Sequence, residues 1–360
     1  MKTAMSADRA DRVERAIGRV CADAGTVGEL FEGIARRLEP ELGQEAGAWL
    51  ATDPSTVLFT DGFVEGFGED TCGPWFRHEL SVPNVATFAE IARSRRSAVR
   101  LSQATGGDLR ASARWREVLD PAGFGQELRV VFREGASVWG VATIHRSNGS
   151  EDFDNVDERL VARLAPLVAG GIRRIVLNER CLDGSPDGPG LLFVGPDRIA
   201  QPATPAGSRW LEVLGVPRGS MAHPALYSLG ELTTGGSPGR RRVRVRTAEG
   251  GWVTLYAEPL RDRDDTFAVI IEPSRPADIA SIAALAYGLS DREQQLVLAL
   301  ARGEGTEAMA NHLGISLHTV RDHLKSIFEK TAVNSRSELV ARLFHDHYAE
   351  SFFERAVIRH

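Results

Sequence analysis

Several basic side chains near the C-terminal end of the chain have a spacing that suits the binding of a polyanion. The 360 residues include only three lysines, and two of them are Lys325 and Lys330. Arg321 lies one helical turn before Lys325, so the two side chains would project from the same face of a helix. Cations in such a row can neutralise consecutive phosphates of a nucleic acid. The segment is therefore a candidate site for binding nucleic acid.

The residues around these cations predict two short helices that meet at a turn. A first helix is predicted from Thr306 to Leu313, and Gly314 then supplies a residue that tolerates a left-handed turn. Ser316 is a good N-cap for a second helix. The apolar side chains of that helix share the face opposite the cations: Val320, Leu324, Ile327 and Phe328. Two short helices of this kind predict a helix-turn-helix, in which the second helix enters the major groove of DNA.

The same residues resemble the DNA-binding domain of the LuxR (GerE-like) bacterial transcription regulators. The resemblance implies a four-helix domain whose third helix reads DNA and whose fourth helix usually forms a dimer interface. It also implies that His318, Thr319, Arg321, Lys325 and Ser326 face the DNA, and that Lys330 and Arg336 hold phosphates. The resemblance covers about 55 residues and is carried by many positions in order: Leu289, Arg292-Glu293, Ala301, Gly303, Ala310, Leu313, Ile315-Ser316, Thr319-Val320, His323, Ile327, Lys330, Val333, Ser335-Arg336 and Glu338-Leu339-Val340.

The local charge of this region is neutral, which leaves a second function open. Residues 285–344 hold seven Lys and Arg and seven Asp and Glu. Glu307 also stands where the family commonly has a basic residue. The main hypothesis is a ligand- or signal-responsive transcription regulator that binds double-stranded DNA as a homodimer. The alternative is a signalling adaptor whose terminal helical bundle does not bind DNA.

Upstream of this region, the sequence predicts a multidomain α+β protein. Residues 10–182 resemble a GAF domain, through a strand pair around 128–144, an acidic turn at Ser150–Phe153 and a long closing helix. Residues 188–275 resemble a PAS domain, through the strand at 190–194, Trp210-Leu211 and three later strands. A linker helix is expected at 277–288 and an all-α LuxR-type domain at 285–350. Both resemblances imply sensory sheets, and a small-molecule effector is a candidate partner that the fold alone does not name.

A run of arginines at residues 240–246 is the densest basic segment of the chain. On a strand, alternate arginines share one face with Val243 and Val245 on the other. A solvated face of a sheet is the favoured interpretation, and an acid-binding or docking face is the alternative.

Composition narrows the remaining possibilities. A net charge of −6 and a pI near 5.9 exclude a uniformly cationic chain. Cys21, Cys72 and Cys181 form neither a disulfide framework nor a zinc spacing, which predicts a cytoplasmic location. The charged start predicts no signal peptide, and no apolar run reaches the length of a membrane helix. The histidines His312, His318 and His323 are not spaced as metal ligands. Since the sequence contains no catalytic motif, we expect no enzyme, no metal and no covalently attached cofactor.

Overall fold

The computed structural model describes residues 7–177, 188–216, 223–234, 242–247, 251–261, 263 and 265–345. Residues 346–360 of the chain, Cys181 and the first two arginines of the 240–246 run lie outside these ranges. The chain forms two compact units. The first holds nearly all described residues up to Pro273, and the second holds those from Ser274 onward together with Val176, Leu177 and Gly251. No helix within the described ranges is both long and apolar enough to span a membrane.

The first unit begins with an antiparallel five-stranded sheet in the order β2-β1-β5-β4-β3. The predicted strand pair is present as β4 and β5, whose hairpin turn places Gly135 in the left-handed region at φ +59°. The strands are β1 Ala46–Thr52, β2 Phe59–Glu65, β3 Ala98–Arg100, β4 Phe124–Glu134 and β5 Ser137–Ser147. The helices are α1 Ala7–Asp23, α2 Val27–Leu42, α3 Glu69–Leu80, α4 Phe88–Arg93, α5 Leu101–Ala104 and α6 Asn155–Leu177, with a 3₁₀ helix at Leu109–Ala111 and a π-helix at Trp115–Leu119.

The two faces of this sheet bury different side chains because successive residues of a strand point to opposite sides. On one face Trp49 and Phe132 stack with ring centroids 6.2 Å apart, and the apolar sides of α2 and α6 cover them. On the other face lie Glu127, Arg129 and Val131 of β4, among residues of α3 and α4. The first face is apolar around Trp49 and Phe132 and buries one ion pair, Arg146 with Asp157 of α6, whereas the second face buries a larger group of charges.

A second antiparallel sheet in the first unit repeats the strand order of the first sheet. Its order is β7-β6-β10-β9-β8, so in both sheets the first and last strands in the chain lie side by side at the centre. The strands are β6 Gly190–Val194, β7 Ala200–Pro202, β8 Arg242–Arg246, β9 Trp252–Pro259 and β10 Phe267–Pro273, and the helices are α7 Pro205–Val213 and α8 Pro224–Thr234. Two antiparallel sheets, each accompanied by helices, confirm the predicted α+β fold class for this part of the chain.

The two sheets share one hydrophobic core, and α8 lies at the centre of the contact between them. Tyr227 of α8 stacks on Phe76 of α3, with ring centroids 4.6 Å apart. Ser228 accepts a hydrogen bond from the backbone N–H of Phe59 at 3.2 Å. The hydroxyl of Ser81, just after α3, donates to Glu231 Oε2 at 2.9 Å.

Arg244 of β8 adds a buried ion pair to this contact. Its guanidinium donates to both carboxylate oxygens of Asp53, with Nη2–Oδ2 at 2.6 Å and Nη2–Oδ1 at 2.9 Å, and both side chains are buried. The favoured interpretation of the arginine run as a solvated face is therefore wrong at Arg244. The alternation of the strand was predicted correctly, but the side chain docks on an acid of the other sheet.

The second unit is entirely helical in its described part, as the sequence predicts. Its helices are α9 Pro276–Ala286, α10 Asp291–Ala301, α11 Thr306–Leu313, α12 Leu317–Thr331 and α13 Arg336–Val340, followed by a π-helical turn at Ala341–His345. The capping box of Ser290 and Glu293 forms at the start of α10. At the start of α13 only half of a capping box is present: Ser335 accepts from the N–H of Glu338, but Glu338 accepts from the N–H of Asn334 at 2.8 Å instead of from that of Ser335.

We predict that replacing Arg244 with Ala lowers the free energy of unfolding of the first unit by about 3 kcal/mol, because Asp53 is left buried without its cation. All six tryptophans belong to this unit, so urea unfolding followed by tryptophan fluorescence measures it selectively. Arg36→Ala is the control, since it removes only an exposed pair with Glu32 and should cost less than about 1 kcal/mol. Equal losses in the two variants would contradict this role of Arg244.

Candidate nucleic-acid interface

Helix α12 is fixed by its cap and by its apolar stripe. The hydroxyl of Ser316 accepts a hydrogen bond from the N–H of Thr319 at 3.0 Å, which satisfies a free donor of the first turn. Gly314, between α11 and α12, is in the left-handed region at φ +64°. Val320, Leu324 and Ile327 are buried in the core of the second unit. Since these side chains face inward, the opposite side of α12 is turned to solvent.

The exposed side of α12 carries three of the predicted contact residues. The side chains of His318 and Lys325 are 85% and 80% exposed. Each lies near an acid one turn away, His318 at 3.6 Å from Asp322 and Lys325 at 4.0 Å from Glu329. Arg321 is also exposed, and no described residue pairs with it. An ion pair as exposed as that of Lys325 is weak, so Lys325 is free to exchange its carboxylate partner for a phosphate.

Thr319 is half-buried, and its hydroxyl is occupied by the helix cap. Its Oγ1 lies 2.8 Å from the hydroxyl of Ser316. Thr319 is in the first turn of α12, and the N-terminal part of a recognition helix is the part that contacts base edges.

Ser326 and Lys330 lie at the edge of the exposed side and both bond to Glu293 of α10. The Ser326 hydroxyl donates to Oε1 at 2.7 Å, and Lys330 Nζ donates to Oε2 at 2.7 Å. The same carboxylate accepts from the N–H of Ser290 at 2.7 Å. Burial alone would raise the pKa of Glu293, but the hydrogen bonds from Lys330, Ser290 and Ser326 lower it to about 2. Glu293 is thus an ionised anchor between α10 and α12.

Arg336 is brought to the same surface from α13. Its guanidinium donates to Thr306 Oγ1 at 2.6 Å and remains exposed. One open groove joins it to the cations of α12. The groove is lined by Arg321, Leu324, Lys325, Phe328, Glu329, Ala332, Val333, Asn334 and Arg336. The structure therefore places Arg321, Lys325 and Arg336 beside one another, while Lys330 has its ammonium directed at Glu293.

Two residues of the second unit have positions that the pattern of cations did not indicate. Asn334 lines the groove beside Arg336, and its backbone N–H is held by Glu338. Arg292 donates to the backbone carbonyl of Leu313 at 3.0 Å, which ties α10 to the end of α11. The long-range partners of Arg292 and Glu293 could not be read from local spacing. Within the described residues, no group of three or more His, Cys, Asp or Glu side chains converges as a metal site.

Comparison with known proteins identifies the family of this helical segment. Residues 288–343 match the family model described as bacterial regulatory proteins, luxR family. This segment contains α10 to α13, and it is therefore a LuxR-type DNA-binding domain.

Two characterised relatives align with the chain over part of their length. A monoamine regulon transcriptional regulator from Klebsiella aerogenes is 43% identical over 54 residues, which are 15% of this chain and 24% of the relative. The transcriptional regulatory protein DesR from Bacillus subtilis (strain 168) is 27% identical over 114 residues, 31% of this chain and 57% of DesR. The chain thus spans about a quarter and just over half of these relatives.

Among solved structures, the GAF domain of an Acinetobacter phosphoenolpyruvate-protein phosphotransferase is similar to part of the chain. The identity is 14% and the TM-score 0.34, over 49% of this chain and 99% of that domain. At this level the similarity adds nothing to the fold described above.

We predict that Glu293→Gln destabilises the second unit most at neutral pH. Because the pKa of Glu293 is lowered in the folded state, its stabilisation is complete above the ordinary value of 4.5 and is lost as the pH falls towards about 2. The variant lacks this contribution at every pH, so its difference from the wild-type chain should shrink over that range. Hydrogen exchange of α12 peptides, corrected for the intrinsic rate at each pH, measures this difference in stability between the variant and the wild-type chain.

The matched control is Glu329→Gln, which removes an exposed carboxylate on the same helix. We expect it to leave the protection of α12 nearly unchanged at every pH. A Glu293→Gln chain with wild-type protection at pH 7 would show that the anchor is dispensable.

Proposed function

We propose that this chain, whose residues 288–343 form a LuxR-type DNA-binding domain, is a transcription regulator that binds double-stranded DNA through α12. The observation that carries the proposal is the groove beside α12, where Arg321, Lys325 and Arg336 are exposed together on a capped helix with a buried opposite face. Their positions combine a helix that fits the major groove with cations that can hold the adjacent phosphates.

Within this proposal the predicted contact residues have distinct roles. His318, Thr319 and Arg321, in the first half of α12, approach base edges, as the N-terminal part of a recognition helix does. Lys325 and Arg336 hold phosphates from the two sides of the groove. The ammonium of Lys330 has three N–H donors and uses one of them on Glu293. The other two can donate to a phosphate. Ser326 acts at the margin of the interface, since its hydroxyl is held by the same carboxylate.

The assembly proposed is a homodimer in the cytoplasm. A single domain of this size makes few phosphate contacts, and two copies on adjacent half-sites would multiply them. The first unit is proposed to sense a signal or a small molecule and to act on DNA binding. No catalytic role is proposed for either unit.

A signalling adaptor is the second candidate, because the local charge gives DNA little general attraction. Residues 285–344 hold equal numbers of acidic and basic side chains, and Glu307 is exposed on α11. Salt dependence separates the two functions. If six to eight phosphates are contacted per dimer, the logarithm of the affinity for DNA should fall with the logarithm of salt concentration with a slope of about −5 to −7. An adaptor would show no binding, or binding that salt does not weaken.

We predict that Arg321→Ala and Lys325→Ala each weaken the binding of operator DNA by about tenfold or more, because each removes one cation per protomer from the interface. Fluorescence anisotropy with labelled operator fragments, selected from genomic DNA with the full chain, measures the affinity. Lys325→Ala should also make the salt slope less steep by about two for a dimer, since two phosphate contacts disappear.

Arg302→Ala is the matched control for these variants. Arg302 is an exposed cation of the same unit, but it lies at the end of α10 and does not line the groove. We expect it to change the affinity by less than about twofold. If all three variants bind DNA alike, the assignment of the interface to α12 is wrong.

A further inference from the structure

Four charged side chains are buried together beneath the first sheet. Arg114, Glu127 and Arg129 are at most 1% exposed, and Glu79 is 7% exposed. Glu127 and Arg129 lie on β4, which pairs with a strand on each side, Arg114 precedes the π-helix, and Glu79 is in the last turn of α3. Although the formal charges cancel, removing four ions from water is costly, and an apolar core of similar shape is often at least as stable. The group is therefore a candidate for a function other than stability.

The two carboxylates of this group are held very unequally. Glu127 accepts hydrogen bonds from Arg114 Nη2 at 2.8 Å, Arg129 Nη1 at 2.9 Å and Thr143 Oγ1 at 2.9 Å. Burial alone would raise the pKa of Glu127, but Arg114 and Arg129 hold it far below its usual range.

Glu79 has fewer partners. It accepts from Arg129 Nη2 and from the backbone N–H of Phe88 at 2.5 Å, whereas Arg114 Nη1 is 3.8 Å away, too far for a hydrogen bond. Burial raises the pKa of Glu79 above its usual range despite these cations. Glu79 is thus the weakly held member of the group.

Both guanidinium groups have a donor to spare. Arg114 Nη1 and Arg129 Nε are buried and have no hydrogen-bond partner in the described part of the protein. Buried N–H groups are rarely left unpaired, because each unpaired group costs free energy. Two arginine donors left over beside a weakly held carboxylate are suited to bind another anion.

Aromatic rings lie beside one of these arginines, Arg129. The guanidinium carbon of Arg129 lies 3.8 Å from the centroid of Phe88 and 5.9 Å from that of Trp75. Phe59 packs against both rings, with centroids 6.2 and 6.1 Å away. A ligand that places a carboxylate on the arginines would therefore have its remaining atoms among aromatic rings.

We propose that Glu79 occupies the place of a ligand carboxylate, and that a small aromatic carboxylic acid binds to Arg114 and Arg129 when α3 withdraws Glu79 from them. The ligand anion replaces the Glu79 anion, so the charge of the buried group stays balanced. Glu127 cannot be the group that leaves, since it is on a strand that is paired on both sides and it accepts from three side chains. Glu79 can leave, because it is at the end of a helix.

The movement of α3 would reach the second sheet directly. The same helix stacks Phe76 on Tyr227 of α8, and Ser81 at its end donates to Glu231 of α8. Glu231 in turn binds Arg198 of the second sheet at 2.9 Å. Exchange of Glu79 for a ligand therefore changes contacts on both sides of the shared core. The proposal concerns the first unit alone and does not depend on DNA binding.

Chemical rescue of Glu79→Gln in the full-length chain tests this site. The variant leaves one buried positive charge unbalanced, so its melting temperature should fall, and benzoate should restore it. For the wild-type chain we expect benzoate to raise the melting temperature by about 3 °C at a tenfold excess over its dissociation constant. For Glu79→Gln we expect a rise at least twice as large, because no internal carboxylate competes. Tryptophan fluorescence follows the first unit.

Benzamide at the same concentration, and chloride at the same ionic strength, control for the ring and for salt. Glu158→Gln is the matched variant, since Glu158 also pairs with two arginines of the first unit, Arg96 and Arg100, but outside the buried group. It should show only the wild-type response. Hydrogen exchange should place the effect of benzoate in α3 and α8.

The proposal is wrong if benzoate raises the melting temperature of Glu79→Gln no more than that of the wild-type chain, or no more than benzamide does. If Glu79→Gln does not fold in chloride, folding that benzoate restores and benzamide does not is the same rescue. If Glu79→Gln folds in neither benzoate nor chloride, Glu79→Asp replaces it, because the shorter side chain draws the carboxylate back from Arg129. Benzoate must then raise the melting temperature of Glu79→Asp more than that of the wild-type chain, and more than benzamide does.

Discussion

Both units depend on one constraint, which is that a buried charge needs a partner of opposite charge. Asp53 and Arg244 satisfy it between the two sheets, and Glu293 and Lys330 satisfy it between α10 and α12. In each case the partners come from elements that are distant in the chain. An apolar contact between the same elements could slide, whereas a hydrogen-bonded ion pair has one geometry. The ion pairs thus fix the positions at which the hydrophobic surfaces meet.

Local features of the fold could be predicted from the sequence because their causes are local. The cap at Ser316, the left-handed Gly314 and the apolar stripe of α12 each depend on residues within one or two helical turns. Alternation along 240–246 predicted a strand for the same reason. The partner of Arg244 could not be predicted, since Asp53 is 191 residues away and no pattern in either segment indicates the other.

The same distinction applies to the candidate interface. Periodicity identified the outward face of α12 and therefore the exposure of Arg321 and Lys325. It could not show that Ser326 and Lys330 share Glu293, because that bond depends on how α10 packs against α12. Glu293 illustrates the limit best. Its bond to the N–H of Ser290 depends on a spacing of three residues, whereas its bonds to Ser326 and Lys330 depend on the packing of two helices.

The buried pairs also explain why net charge is a poor guide to this domain. Its equal numbers of acids and bases include Glu293 and Lys330, which largely neutralise each other within the fold. Arg292 is directed at the end of α11 by its bond to the carbonyl of Leu313. A DNA phosphate would meet instead the cations that line the groove, and their acidic neighbours Asp322 and Glu329 lie in weak exposed pairs that solvent already screens. The field at the groove therefore depends on which charges the fold has paired, and a sum over the sequence cannot distinguish paired charges from free ones.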